Sequence, residues 1–234
     1  MKFILKVLSF ILVLILIIAE IFIYDGYKMY EEAIQTISLE DKVKSVQNDE
    51  DYVKINDVPT YYKNAVVSVE DRRFYEHGPV DIIAIGRAIV SNVKNGKLLE
   101  GGSTITQQVA KNLYFITEYD FSRKIAEIFV AFDLEKNYSK DDILELYVNT
   151  IYFGDGYYGV TEACNGYFDK ETKDMDIYEA TMLAGIPNAP SVYAPTANLH
   201  LTKSRQAKVI STMVANEYIT QDEADKILAE QENR

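Results

Sequence analysis

The side chains best suited to chemistry fall in three short clusters. The first is Glu70-Asp71-Arg72-Arg73-Phe74-Tyr75-Glu76-His77, which packs three acids, two arginines and a histidine into eight positions. These are the materials of proton transfer and anion binding, yet alone such a mixed-charge run is usually a solvated helix face. Its chemistry needs a partner elsewhere. The second is Gly101-Gly102-Ser103-Thr104-Ile105-Thr106-Gln107-Gln108-Val109-Ala110-Lys111. Paired glycines let backbone approach a ligand closely, and the hydroxyl residues then open a helix whose first-turn amides point at whatever lies above them. That geometry suits a phosphate, although the Gly-x-x-x-x-Gly-Lys-Ser/Thr spacing of a nucleotide-binding loop is absent. On such a helix Thr104, Gln107 or Gln108, and Lys111 share one face, and Ile105, Val109 and Leu113 form the buried one. The bland alternative is a capped amphipathic helix with a solvated lysine. The third cluster is Ser122-Arg123-Lys124-Ile125-Ala126-Glu127, where Arg123 and Glu127 are four apart and could simply pair on a helix surface.

Helices must carry these clusters. Apolar residues recur at helical rather than alternating spacing, as in Ile82, Ile83, Ile85, Ile89 and Val93, or Phe121, Ile125, Ile128, Phe129 and Phe132. Helix starts are legible too. Thr104 to Gln107 and Thr220 to Glu223 fit the capping box, and Ser139 followed by acids suits another N-terminus. The expected fold class is therefore mainly α. Residues 92–102, with Asn95-Gly96-Lys97, Leu98-Leu99 and Gly101-Gly102, read as a mobile loop whose leucines could touch lipid, or as an ordinary surface loop.

Before the clusters lies a long apolar run. Lys2 and Lys6 precede residues 7–24, which are apolar apart from Glu20 and about long enough to cross a hydrocarbon core as a helix. Ile17, Ile18 and Ala19 give no small-x-small cleavage site, so the run reads as an uncleaved anchor rather than a signal peptide. Basic residues before the span and Asp25, Glu31 and Glu32 after it place the N-terminus in the cytoplasm. The expected organisation is 1–24 cytoplasmic start and transmembrane anchor, 25–57 juxtamembrane stalk and 58–234 a single domain. A balance of 24 basic to 36 acidic residues argues against nucleic acid as a partner, so any phosphate contact must come from a local basic cluster. The lone cysteine, Cys164, forms no internal disulfide and reads as a buried small hydrophobe.

Five ordered motifs now stand out: Glu70-Asp71-Arg72-Arg73-Phe74 with His77; Gly101 to Gln108; Arg123-Lys124-x-x-Glu127; Lys140-x-x-Ile143-Leu144-Glu145-x-Tyr147-x-Asn149; and Ala184-Gly185-x-Pro187-x-Ala189-Pro190. Together they resemble the peptidoglycan glycosyltransferases, the family of monofunctional transglycosylases and of the N-terminal catalytic domains of class A penicillin-binding proteins. The resemblance covers residue 58 to about residue 227. Two departures are visible. The chain reads Gly78-Pro79-Val80-Asp81 where the family usually has x-Gly-x-Asp, and Glu118, Tyr119 and Asp120 stand where relatives often carry extra basic residues.

The resemblance implies a lysozyme-like helical fold with a cleft beside the bacterial cytoplasmic membrane. It further implies polymerisation of lipid II into β-1,4-linked strands, with the growing undecaprenyl-pyrophosphate chain as donor and inversion at the anomeric carbon. Glu70 then matches the base that takes the acceptor proton, its pKa raised by burial and lowered by Arg72 or Arg73. Lys111, Arg123 and Lys124 would neutralise the departing pyrophosphate, with Arg72, Ser103, Thr104 and Gln107 as further contacts. Glu127 matches the second family carboxylate, to hold a magnesium or manganese ion or to orient the cations. Residues 140–149 and 184–190 read mainly as scaffold, and other cell wall synthesis or division proteins are expected partners. A lytic enzyme of lysozyme type and a silent lipid II-binding scaffold are the rivals. A transpeptidase finds only Ser91-Asn92-Val93-Lys94, without a Lys-Thr-Gly partner.

Overall fold

The apolar periodicity resolves into twelve α-helices among the described residues of this computed structural model, 2–96, 101–117 and 120–233. They are α1 (Lys2–Thr36), α2 (Leu39–Gln47), α3 (Thr60–Glu70), α4 (Ile82–Asn95), α5 (Ile105–Tyr114) and α6 (Phe121–Asn137). There follow α7 (Lys140–Thr150), α8 (Gly159–Phe168), α9 (Ile177–Gly185), α10 (Pro190–Tyr193), α11 (Pro195–Ala215) and α12 (Gln221–Asn233). Tyr152 and Tyr158 form an isolated antiparallel bridge, and no strand occurs among the described residues. The mainly α class expected from the sequence is thus the one observed.

Side-chain caps decide where several helices begin. Thr104 and Gln107 satisfy each other's backbone at the head of α5, and Ser139 and Asp142 do the same for α7. Thr220 and Glu223 exchange hydrogen bonds ahead of α12. Ile105, Val109 and Leu113 of α5 are buried as the pattern required, each burial contributing about 1.5–3 kcal/mol. Helices α3, α5, α7, α9 and α11 surround this core, in which Tyr62, Phe74, Leu144 and Tyr147 are fully buried.

Two expectations change in three dimensions. Residues 25–57 do not stand apart as a stalk: α1 runs unbroken to Thr36 and lies along α6, and Leu39 and Val43 of α2 belong to the core. The reason is a buried carboxylate in α7. Glu145 accepts the Ile55 N–H at 2.7 Å and the Tyr52 hydroxyl, while Asn149 bonds both backbone groups of Val53 at 2.8 Å, so residues 52–55 are pinned to the domain. The second change is α4, which forms at the periodic isoleucines but turns them outward, leaving Ile82 and Val93 each 79% exposed. Of the expected loop, Lys97, Leu98 and Leu99 lie outside the described residues, as do Glu118 and Tyr119.

Candidate active site

Glu70 is the last residue of α3, and its neighbour ties that helix end to the next cluster. Asp71 accepts the Ile105 N–H at the head of α5 at 3.1 Å through Oδ2, and its Oδ1 lies 2.7 Å from His77 Nε2. Arg73 turns away from Glu70, donating to both oxygens of Asp81, which also caps α4 by accepting the Ala84 N–H. The Gly78-Pro79 turn has a structural use, because the Pro79 carbonyl accepts the Thr104 hydroxyl at 2.9 Å. Asp71, His77 and Asp81 bring their ligating atoms within 4.8 Å of one another. Those atoms are already engaged by Ile105, Ala84, Arg73 and each other, so the group acts as a lock between α3, α4 and α5.

The Glu70 side chain is only 10% exposed. Gln108 Nε2 donates to Oε2 at 2.9 Å, and Arg205 Nη2 of α11 lies 3.7 Å from Oε1. Burial holds the carboxyl above the ordinary glutamate range, and Gln108 and Arg205 offset that only in part. The contest between desolvation and a nearby arginine is therefore won by desolvation. The arginine is Arg205, not Arg72 or Arg73.

Across the cleft, the first two turns of α6 present the third cluster. Lys124 Nζ donates to Glu127 Oε2 at 2.6 Å and to Ser103 Oγ at 2.8 Å, while Arg123 Nε lies 3.1 Å from Glu127 Oε1. Glu127 is 1% exposed, so one buried carboxylate aims two cations. Lys111, from the second turn of α5, joins them, and burial lowers its pKa, opposed by Glu127. Both Glu127 oxygens face cations, so a divalent ion held by Glu127 would take the place of Lys124.

These groups line one cleft of about 630 Å³. Seven cations border it, Arg72, Arg87, Lys111, Arg123, Lys124, Arg205 and Lys208, against the two carboxylates Glu70 and Glu127. In a chain of net charge -12 that local excess makes an anion site. Ser103 and Gln107 also border the cleft. Two expected contacts are spent elsewhere. Thr104 is 2% exposed, its hydroxyl donating to Pro79 and accepting the Gln107 N–H. Gln107, equally buried, returns its carbonyl to the Thr104 N–H, and Gln108 is the amide that reaches Glu70. Capping geometry consumed the hydroxyl that the sequence offered to a ligand.

Arg205 was not found from the sequence. It sits among Lys203, Ser204 and Lys208, a run that reads as a solvated face. Only in the structure does it stand among the buried Thr202, Gln206 and Val209, where a cation needs a partner.

Residues 36–214 match the model of the transglycosylase family. Penicillin-binding protein 1A of Neisseria lactamica is 44% identical over 181 residues, covering 77% of this chain and 23% of that protein. Penicillin-binding protein 1F of Bacillus subtilis is 44% identical over 172 residues, 74% of this chain and 24% of that one. The chain thus spans about a quarter of the length of the relatives it matches. Among solved structures, the crystal structure of penicillin-binding protein 1A from Haemophilus influenzae aligns with a TM-score of 0.45 and 23% identity, over 76% of this chain and 17% of that chain. With the family match extending across α2 to α11 and the five motifs in order along it, the chain belongs to the transglycosylases, the peptidoglycan glycosyltransferase family.

Proposed function

We propose that this protein is a membrane-anchored peptidoglycan polymerase that joins lipid-linked disaccharides into β-1,4-linked strands, with the growing undecaprenyl-pyrophosphate strand as donor and lipid II as acceptor. The observation that carries the reading is the opposition of Glu70, buried and proton-avid, to the Lys111, Arg123 and Lys124 set within one cleft. A sugar hydroxyl is a weak nucleophile at neutral pH, so its proton must leave as it attacks. Glu70 takes the proton of the acceptor 4-hydroxyl while that oxygen bonds the donor anomeric carbon from the face opposite the pyrophosphate. The carbon–oxygen bond to the pyrophosphate breaks, and the lipid pyrophosphate leaves with the electron pair and with inversion at carbon. Its charge is met by Lys124 and Arg123, held in place by Glu127. Residues 7–24 anchor the chain, with the N-terminus inside and the domain on the outer face.

Incubation of the purified protein with lipid II is expected to yield long glycan strands. Fragmentation of preformed sacculi without polymer would overturn the assignment in favour of a lytic enzyme. A second expectation concerns Arg205. Arg205→Gln removes a cation that pulls the Glu70 pKa down, so the acid limb of the pH–rate profile should move to higher pH. The plateau rate should fall by less than about tenfold, or 1.4 kcal/mol. An unmoved limb would detach Arg205 from Glu70.

A further inference from the structure

The apolar helix does more than tether the domain. Its contacts climb α1 and α6 together: Phe22 packs on Phe121 at 5.7 Å, Tyr27 and Tyr30 on Phe129 at 5.2 and 5.4 Å, and the Tyr30 hydroxyl donates to Asp133 at 2.6 Å. The two helices therefore run parallel, and α6 begins at the membrane end. Between these contacts Gly26 lets the backbones touch, since a Cβ built on it would lie 2.4 Å from Ile125 Cβ and 2.8 Å from the Ser122 carbonyl oxygen. No side chain fits there without moving the first turn of α6, the turn that carries Arg123 and Lys124.

Height follows from sequence distance. The run, apolar apart from Glu20, ends at Tyr24 and is followed by Asp25, so Gly26 sits about 3 Å beyond the last apolar residue at 1.5 Å per residue. Opposite it are Ser122 and Ile125, which places the cationic turn, with the positive end of the α6 dipole, where lipid phosphates lie. The other side of α6 packs on α5, which carries Lys111 and Gln108. Lys111, Arg123 and Lys124 are thus braced against the anchor.

We propose that α1 is a positioning element: its weld to α6 through Phe22, Gly26 and Tyr30 holds Arg123 and Lys124 at a set height above the bilayer, so that bilayer thickness governs use of the membrane-embedded substrate. The proposal rests on the polymerase reading above. Two variants alter the membrane-embedded length and leave the weld intact. Inserting four leucines between Leu14 and Ile15 lengthens the helix by about 6 Å, and deleting residues 13–16 shortens it by about as much. Each is to be assayed with lipid II in phosphatidylcholine vesicles of graded acyl length and in detergent micelles.

Wild type is expected to work best in dioleoyl vesicles. The lengthened variant should be at least about tenfold slower there and recover to within about threefold in the thicker dierucoyl vesicles. The shortened variant should shift the other way, towards dimyristoleoyl vesicles, and all three should have similar rates in micelles. Opposed shifts are not produced by misfolding. Identical thickness profiles for the three proteins would overturn the proposal while leaving the polymerase reading intact. Wild type that makes no strands in micelles or vesicles would instead remove that reading.

Discussion

Glu70→Gln is expected to slow strand synthesis about 10³-fold, the scale at which a positioned general base contributes, without loss of the fold. Glutamine keeps the shape and can still meet Gln108 and Arg205, but it cannot take the acceptor proton. The same substitution should stabilise the protein at neutral pH, and the sign can be worked out. Burial raises the Glu70 pKa in the folded state above its unfolded value, so ionised Glu70 opposes folding wherever the pH exceeds both values. That penalty disappears as pH falls below the ordinary glutamate range. The variant should therefore melt above wild type at pH 7 and converge with it in acid. Thermal melts across pH, beside a lipid II assay, read both effects. Activity within tenfold of wild type would end the assignment of Glu70 as base.

Glu127→Gln makes the same chemical change with the opposite expected effect on stability. Glu127 is 1% exposed and compensates Arg123 and Lys124 together, at 3.1 and 2.6 Å. Neutralising it removes the carboxylate that Arg123 and Lys124 share, beside the third cation Lys111. Both cations keep a quarter or more of their side-chain surface in water, so the loss should lie between the exposed and the fully buried case, about 1–2 kcal/mol, which denaturant unfolding would register. Cations that repel one another no longer meet the departing pyrophosphate in fixed positions, so kcat is expected to fall about 10²-fold. The acid limb of the pH profile, set by Glu70, should stay in place. A loss of stability with unchanged kcat would make Glu127 a structural residue only.

Much of the local structure was legible because it depends on neighbours in sequence. Thr104 with Gln107, Ser139 with Asp142, and Thr220 with Glu223 are caps that close over three residues, and each forms. The buried face of α5 followed from spacing for the same reason. Where a side chain's partner is distant, local reading ran out. Arg205 meets Glu70 across 135 positions, and Tyr30 meets Asp133 across 103. Thr104 looked like a ligand contact because its pattern suits one, yet the Pro79 carbonyl, 25 residues away, accepts its hydrogen bond.

Composition, helical period and capping chemistry by themselves determined a mainly α domain behind one apolar helix, and the motif order pointed to Glu70, Lys111, Arg123, Lys124 and Glu127 as the working residues. Only the tertiary structure decided which way the Glu70 pKa moves, which arginine it feels, which glutamine it meets and that α1 braces α6. Propensity and periodicity act over a few residues, whereas burial and Coulomb energy depend on distances that exist only once remote helices have packed.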